Sequence, residues 1–131
     1  MHDRHFLIAD DSEAKMFFLA SIVKKHWAGE LHRAKSTEEA KKLIDAHPEI
    51  AAAFIDYEIP SENGPAVIRY LRGKNPQAKI ALVTAFDSPR YGEDAKSAGA
   101  DAFVTTSQEM HEVAESLENL LQLWAVELEK E

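Results

Sequence analysis

Short apolar runs alternate with amphipathic stretches five times along this chain, the pattern of a parallel sheet with helices covering both faces. The runs are His5 to Ala9, a weaker Glu30 to Ala34, Ile50 to Ile55, Lys79 to Val83, and Asp101 to Thr105. The third is nearly continuous, as a central strand buried on both faces requires, and it delivers Asp56 to its C-terminal end. Between the strands, Ser12 looks like the cap of a helix running to about Trp27, with Met16, Leu19, Ala20 and Val23 on one face and Gly29 closing it. Ser36 with Glu39 forms a capping box for a helix over Glu38 to His47, which Pro48 stops. Val67, Ile68 and Leu71 mark a third helix ending near Gly73, and Ser88-Pro89 opens a fourth. Gly92 inside that fourth helix costs about 1 kcal/mol relative to alanine, so it is expected to be marginal and mobile. A long last helix is expected from about Ser107 to Leu128. Met110, Val113, Leu117, Leu120, Leu121 and Trp124 form its buried stripe, broadened by Leu123, Val126 and Leu128.

With 131 residues and 45% hydrophobic composition, the chain suits one α/β domain over residues 1–131. A net charge of −8 gives no electrostatic reason to seek phosphate backbones or anionic lipid, so nucleic acid is not expected as a direct partner. The absence of cysteine rules out disulfides and thiolate metal sites. No apolar run is long enough for a transmembrane helix and no signal-peptide pattern opens the chain, so a cytoplasmic protein is expected. The six histidines, at positions 2, 5, 26, 32, 47 and 111, show no ligand spacing within any one helix. They are expected mostly at the surface, and none is nominated for a role.

Polar residues follow three of the apolar runs directly: Asp10-Asp11 after the first, Asp56 after the third and Thr84 after the fourth. In an open parallel sheet such strand ends converge on one crevice, where doubly wound folds place ligands. Three carboxylates meeting there repel one another, and a hard divalent cation with oxygen ligands relieves that repulsion. Magnesium is the expected ion; it keeps waters and takes up phosphate oxygens, which suits phosphoryl transfer with Asp56 as nucleophile. Plainer explanations exist for each residue alone. Acidic side chains favour helix N-termini, and threonine favours strand ends.

Taken together, several segments resemble the response-regulator receiver family over essentially the whole chain. Ile8-Ala9-Asp10-Asp11-Ser12 is similar to its acidic pair, and Phe54-Ile55-Asp56-Tyr57-Glu58-Ile59-Pro60 to its acceptor segment, with Gly64 eight residues after the acceptor. Leu82-Val83-Thr84-Ala85 resembles the hydroxyl-bearing segment, and Gly99-Ala100-Asp101-Ala102-Phe103 the lead-in to the fifth strand. The resemblance implies a flavodoxin-like, doubly wound five-stranded parallel sheet in the order 2-1-3-4-5, with helices on both faces. It implies that Asp10, Asp11, Asp56 and the backbone carbonyl of Glu58 arrange Mg²⁺, and that Asp56 accepts the phosphoryl group. Thr84 then meets a phosphoryl oxygen, and Phe103 is the aromatic switch. The implied donor is a histidine kinase or phosphotransfer protein, and the implied output is contact with a downstream protein target. Such a domain is a signalling module and not an enzyme, and no output domain is expected here.

One position departs from the family. Where it carries a lysine, three residues after the aromatic switch, this chain has Thr106 followed by Ser107. With Glu109, Thr106 is expected to form a capping box for the last helix. The missing cation predicts slow acceptance of phosphate and weak coupling to conformational change, unless Lys15 or Arg90 reaches the pocket. The alternative function is a degenerate receiver, an interaction module indifferent to phosphorylation. Two other classes fit poorly. A haloacid-dehalogenase phosphohydrolase needs a second aspartate two residues after the nucleophile, where Glu58 stands, and the two carboxylates after the first strand would repel a flavin phosphate.

Overall fold

The computed structural model describes residues 4–130. Its elements are β1 (His5–Ala9), α1 (Glu13–His26), β2 (Leu31–Ala34), α2 (Thr37–Ala46), β3 (Ile50–Ile55), α3 (Gly64–Lys74), β4 (Lys79–Thr84), α4 (Pro89–Ala98), β5 (Ala102–Thr105) and α5 (Met110–Glu129). The strands form one parallel sheet in the order β2-β1-β3-β4-β5, as expected. Strand alternation divides the core into two layers. Leu7, Ala9, Ile55 and Leu82 face the side covered by α2, α3 and α4, whereas Phe6, Ile8, Phe54 and Val83 face α1 and α5. In the second layer, Phe6 packs edge-on against Phe54 with ring centroids 4.8 Å apart, and the buried Trp124 of α5 closes over both. The alanines of β3 let this bulk fit without overpacking the sheet.

Register positions the site. Ala9 pairs with Ile55, so the next residues, Asp10 and Asp56, leave the sheet side by side. The helices that follow begin with real caps: Ser12 Oγ accepts from the Lys15 amide (3.2 Å), Ser36 Oγ from the Glu39 amide (3.1 Å) and Asn63 Oδ1 from the Ala66 amide (3.1 Å). At the other end of α4, Gly99 adopts φ +111°, a left-handed conformation that glycine takes without steric penalty.

Three expectations are corrected. Thr106 does not cap the last helix, which starts at Met110 with Glu109 in the cap position and no side-chain cap bond. The Thr106 amide instead donates to the Thr84 carbonyl (2.8 Å), so the β4–β5 ladder holds the backbone that a cap would need. With the helix starting later than Ser107, Met110 is its first residue and is 67% exposed, not part of the buried stripe. Leu128 is buried, while Leu123 and Val126 face solvent.

The third correction concerns the histidines. His5 and His32 are buried, and they hydrogen-bond each other (Nδ1 to Nε2, 2.9 Å), which satisfies polar atoms that would otherwise resist burial. His2 lies outside the described residues. Burial and then the neighbouring His47 hold the His32 imidazole below the usual histidine range, with Glu30 opposing. The unfolded chain takes up a proton near pH 6.5 that the folded His32 resists, so acidification removes stability as pH falls below that value. The urea midpoint is expected to drop between pH 7.5 and about 5.5, and to drop less in His32→Gln.

Candidate functional site

Asp10 and Asp56 are fixed by backbone on both sides. The Asp10 amide donates to the Ala34 carbonyl (2.9 Å) and its Oδ1 accepts from the Ser12 amide (2.9 Å). The Asp56 amide donates to the Ala9 carbonyl (2.9 Å) and its Oδ1 accepts from the Tyr57 amide (2.8 Å). Asp11 stands exposed on the rim, and carboxylate oxygens of the three aspartates lie within 4.8 Å of one another. The strand ends therefore bring together the three carboxylates that the sequence pointed to. Thr84 joins them at the end of β4, buried, its Oγ1 accepting a long 3.5 Å contact from the Phe86 amide.

The cation comes from α1. Lys15 lies in the first turn of that helix, and its ammonium reaches 3.0 Å from Asp10 Oδ2 and 3.1 Å from Asp56 Oδ1 while donating to the Val83 carbonyl (2.6 Å). Its side chain is only 14% exposed, so these contacts are shielded from water. A lysine in a helix's first turn is disfavoured by the macrodipole, and the two carboxylates below offset that. Arg90 does not reach: it is 83% exposed and lies 4.0 Å from Asp94 on its own helix. Of the two candidate cations, one is in the pocket.

One ammonium does not neutralise three carboxylates. Burial pushes the Asp10 carboxyl above its usual range, with Lys15 and the Ser12 amide pulling it back. Asp10 Oδ2 is buried and, among the described residues, receives no well-aligned hydrogen bond, having there only the ion pair with Lys15. A buried, incompletely satisfied carboxylate oxygen beside two further carboxylates is a donor set that fits a hard divalent ion.

Gly64 closes the site from below. Its amide donates to the Tyr57 carbonyl (2.7 Å), and a Cβ placed on it would stand 2.1 Å from the Asp56 carbonyl oxygen. The close approach of the α3 N-terminus to the acceptor loop therefore demands glycine.

Sequence reasoning missed an aromatic roof over this loop. The Tyr57 and Tyr91 rings stack with centroids 3.7 Å apart and are nearly parallel, at 4°. The Tyr57 hydroxyl donates to Asp94 (2.7 Å) and the Tyr91 hydroxyl to Glu58 (2.6 Å). The Glu58 acceptor raises the Tyr91 phenol to about 12. The Glu58 carboxylate is thus engaged by Tyr91. Phe103 is half-buried in the layer beneath α4, close to Gly92, where a Cβ would lie 3.3 Å from its ring. The glycine that weakens α4 is the one that makes room for this ring.

The fold is a flavodoxin-like α/β sandwich, and its polar residues gather where such sheets place ligands. The sequence profile of the response regulator receiver domain matches residues 6–118, and the chain belongs to that family. Among curated relatives it is 29% identical over 115 residues to the photosynthetic apparatus regulatory protein RegA of Cereibacter sphaeroides, covering 88% of this chain and 61% of RegA. The chain thus spans less than two thirds of that relative's length. Among solved structures it matches a CheY-like receiver domain protein from Methanospirillum hungatei (TM-score 0.74, 22% identity, 96% of this chain and 99% of the other). It also matches a response regulator from Burkholderia pseudomallei that was solved with a phosphorylated aspartic acid, calcium and citrate (TM-score 0.74, 25% identity, 95% and 73%). Receiver domains are signalling domains of two-component systems. No helix among the described residues is long and apolar enough to cross a membrane.

Proposed function

We propose that this chain accepts a phosphoryl group on Asp56 from a phosphohistidine donor, a histidine kinase or phosphotransfer protein, and passes the signal on through protein contacts. The observation that carries this reading is the Lys15 ammonium set between Asp10 and Asp56, which restores to the pocket the cation that Thr106 does not supply. In the transfer, an Asp56 carboxylate oxygen forms a bond to phosphorus as the donor's N–P bond breaks, and the departing imidazole takes up a proton. Tyr57 and Lys15 fix the rotation of the Asp56 carboxylate through Oδ1, so the acceptor is oriented before the donor arrives. Asp10, Asp11, Asp56 and the Glu58 carbonyl are the groups that would hold Mg²⁺, which when bound supplies positive charge to the phosphoryl oxygens. Lys15 places a second positive charge beside them, and the buried Thr84 hydroxyl is the donor for a phosphoryl oxygen once Asp56 is modified. Phe103, beside Gly92, is the ring whose packing reports that change to α4.

The test uses beryllofluoride, a stable mimic of the aspartyl phosphate, added with magnesium to labelled protein. Amide shifts are expected at Asp56, Thr84, Phe103 and through α4, and magnesium alone should move residues after β1 and β3. Beryllofluoride that leaves Thr84 and Phe103 unmoved would favour the phosphorylation-independent interaction module.

A further inference from the structure

We propose that His5, His32 and His47 form a second metal site, for a divalent ion of the zinc class, at the end of the sheet opposite the acidic pocket. The three residues are far apart in sequence but are brought together by three elements: His5 opens β1, His32 lies in β2, and His47 is the C-cap of α2. One ring nitrogen from each lies within 4.8 Å of the others. Nitrogens bound to one tetrahedral zinc at about 2.0–2.1 Å are about 3.3 Å apart. The His5 Nδ1–His32 Nε2 pair, at 2.9 Å, has to open by a few tenths of an ångström to share one ion.

The surroundings favour an ion over a purely apolar packing role. Glu30 Oε2 stands 3.5 Å from His32 Nε2, within reach as a fourth, carboxylate ligand. His32 and His47 stack with ring centroids 4.1 Å apart, so one of the two rings has to turn for both nitrogens to reach the same ion. The backbone that carries them is well anchored: the His5 amide donates to the Glu49 carbonyl (3.0 Å), the His47 amide to Leu43 (2.9 Å), and the His47 carbonyl accepts from Ile50 (3.0 Å). His47 is only half-buried, which leaves a path for an ion to enter. Imidazole suits zinc, nickel and copper, whereas magnesium selects oxygen, so the two ends of this sheet sort cations by ligand chemistry. Because β2 is the edge strand, an ion here ties that strand to β1 and α2, and its binding energy adds to the stability of the edge.

Zinc is titrated into the intact protein with magnesium present in excess, followed by calorimetry and by the ring resonances of the histidines. One ion per chain is expected, with the ring signals of His5, His32 and His47 moving, that of His111 fixed, and amide exchange in β2 slowed. His47→Gln, at a half-buried position at the end of α2, is expected to weaken binding by more than the roughly 10–100-fold that losing an outer-shell partner produces. His111→Gln and Asp56→Asn should bind zinc as the wild type does. Absence of saturable binding to the wild type overturns the proposal. So does zinc that shifts the Asp10 and Asp56 amides in place of the three rings, or affinity that survives His47→Gln and falls in Asp56→Asn.

Discussion

Lys15→Met is expected to slow phosphorylation of Asp56 from a small-molecule donor by about 10²–10³, the usual effect of removing one preorganised electrostatic group from a transfer site. The ammonium sits 3.1 Å from the acceptor carboxylate and 3.0 Å from its neighbour, and little water reaches it. The same substitution should tighten magnesium, because Lys15 and the metal compete for the carboxylates of Asp10 and Asp56. Rate and metal affinity therefore move in opposite directions, which a general loss of folding would not produce. Thr106→Lys supplies the complementary test. Alone it should change the wild-type rate little, since the pocket already holds a cation, but in the Lys15→Met background it should recover much of the loss. A Lys15→Met protein that is phosphorylated as fast as the wild type at saturating magnesium would show that Lys15 is a structural ion pair only.

The second large effect is expected at Gly64. A valine there forces atoms into the space of the Asp56 carbonyl, where even a Cβ would stand at 2.1 Å. The backbone has to shift, at about 1–3 kcal/mol or more for an overpacked site. Because the displaced atom belongs to the acceptor residue, phosphorylation should fall along with the urea midpoint. Gly73→Val is the control, since nothing among the described residues lies within 4 Å of a Cβ at that position. Equal stability of the two variants would mean that α3 can withdraw from the acceptor loop freely.

The readable parts of this protein were those that depend on period and strand ends. The apolar run Ile50 to Ile55 places Asp56 at the sheet rim whatever the loops do, and β1 and β4 place Asp10 and Thr84 in the same way. What depends on the direction of a side chain was not readable. Lys15 and Arg90 were equal candidates by composition, and only the turn of α1 over the strand ends separates them. The Thr106 cap had a good local pattern, but the β4–β5 ladder took its amide first. The histidine cluster had no signal within any helix because its members come from two strands and a helix end. Tyr57 and Tyr91 meet across 34 residues, a pairing that has no periodic trace.

The most direct test of the account is the intact mass of the protein after incubation with acetyl phosphate and magnesium, wild type against Asp56→Asn. The wild type should gain the mass of one phosphoryl group and lose it slowly on removal of the donor, and the asparagine variant should gain nothing. A wild type that stays unmodified, or a variant that is modified equally, would contradict the assignment of Asp56 as acceptor and leave the acidic pocket to a phosphorylation-independent role.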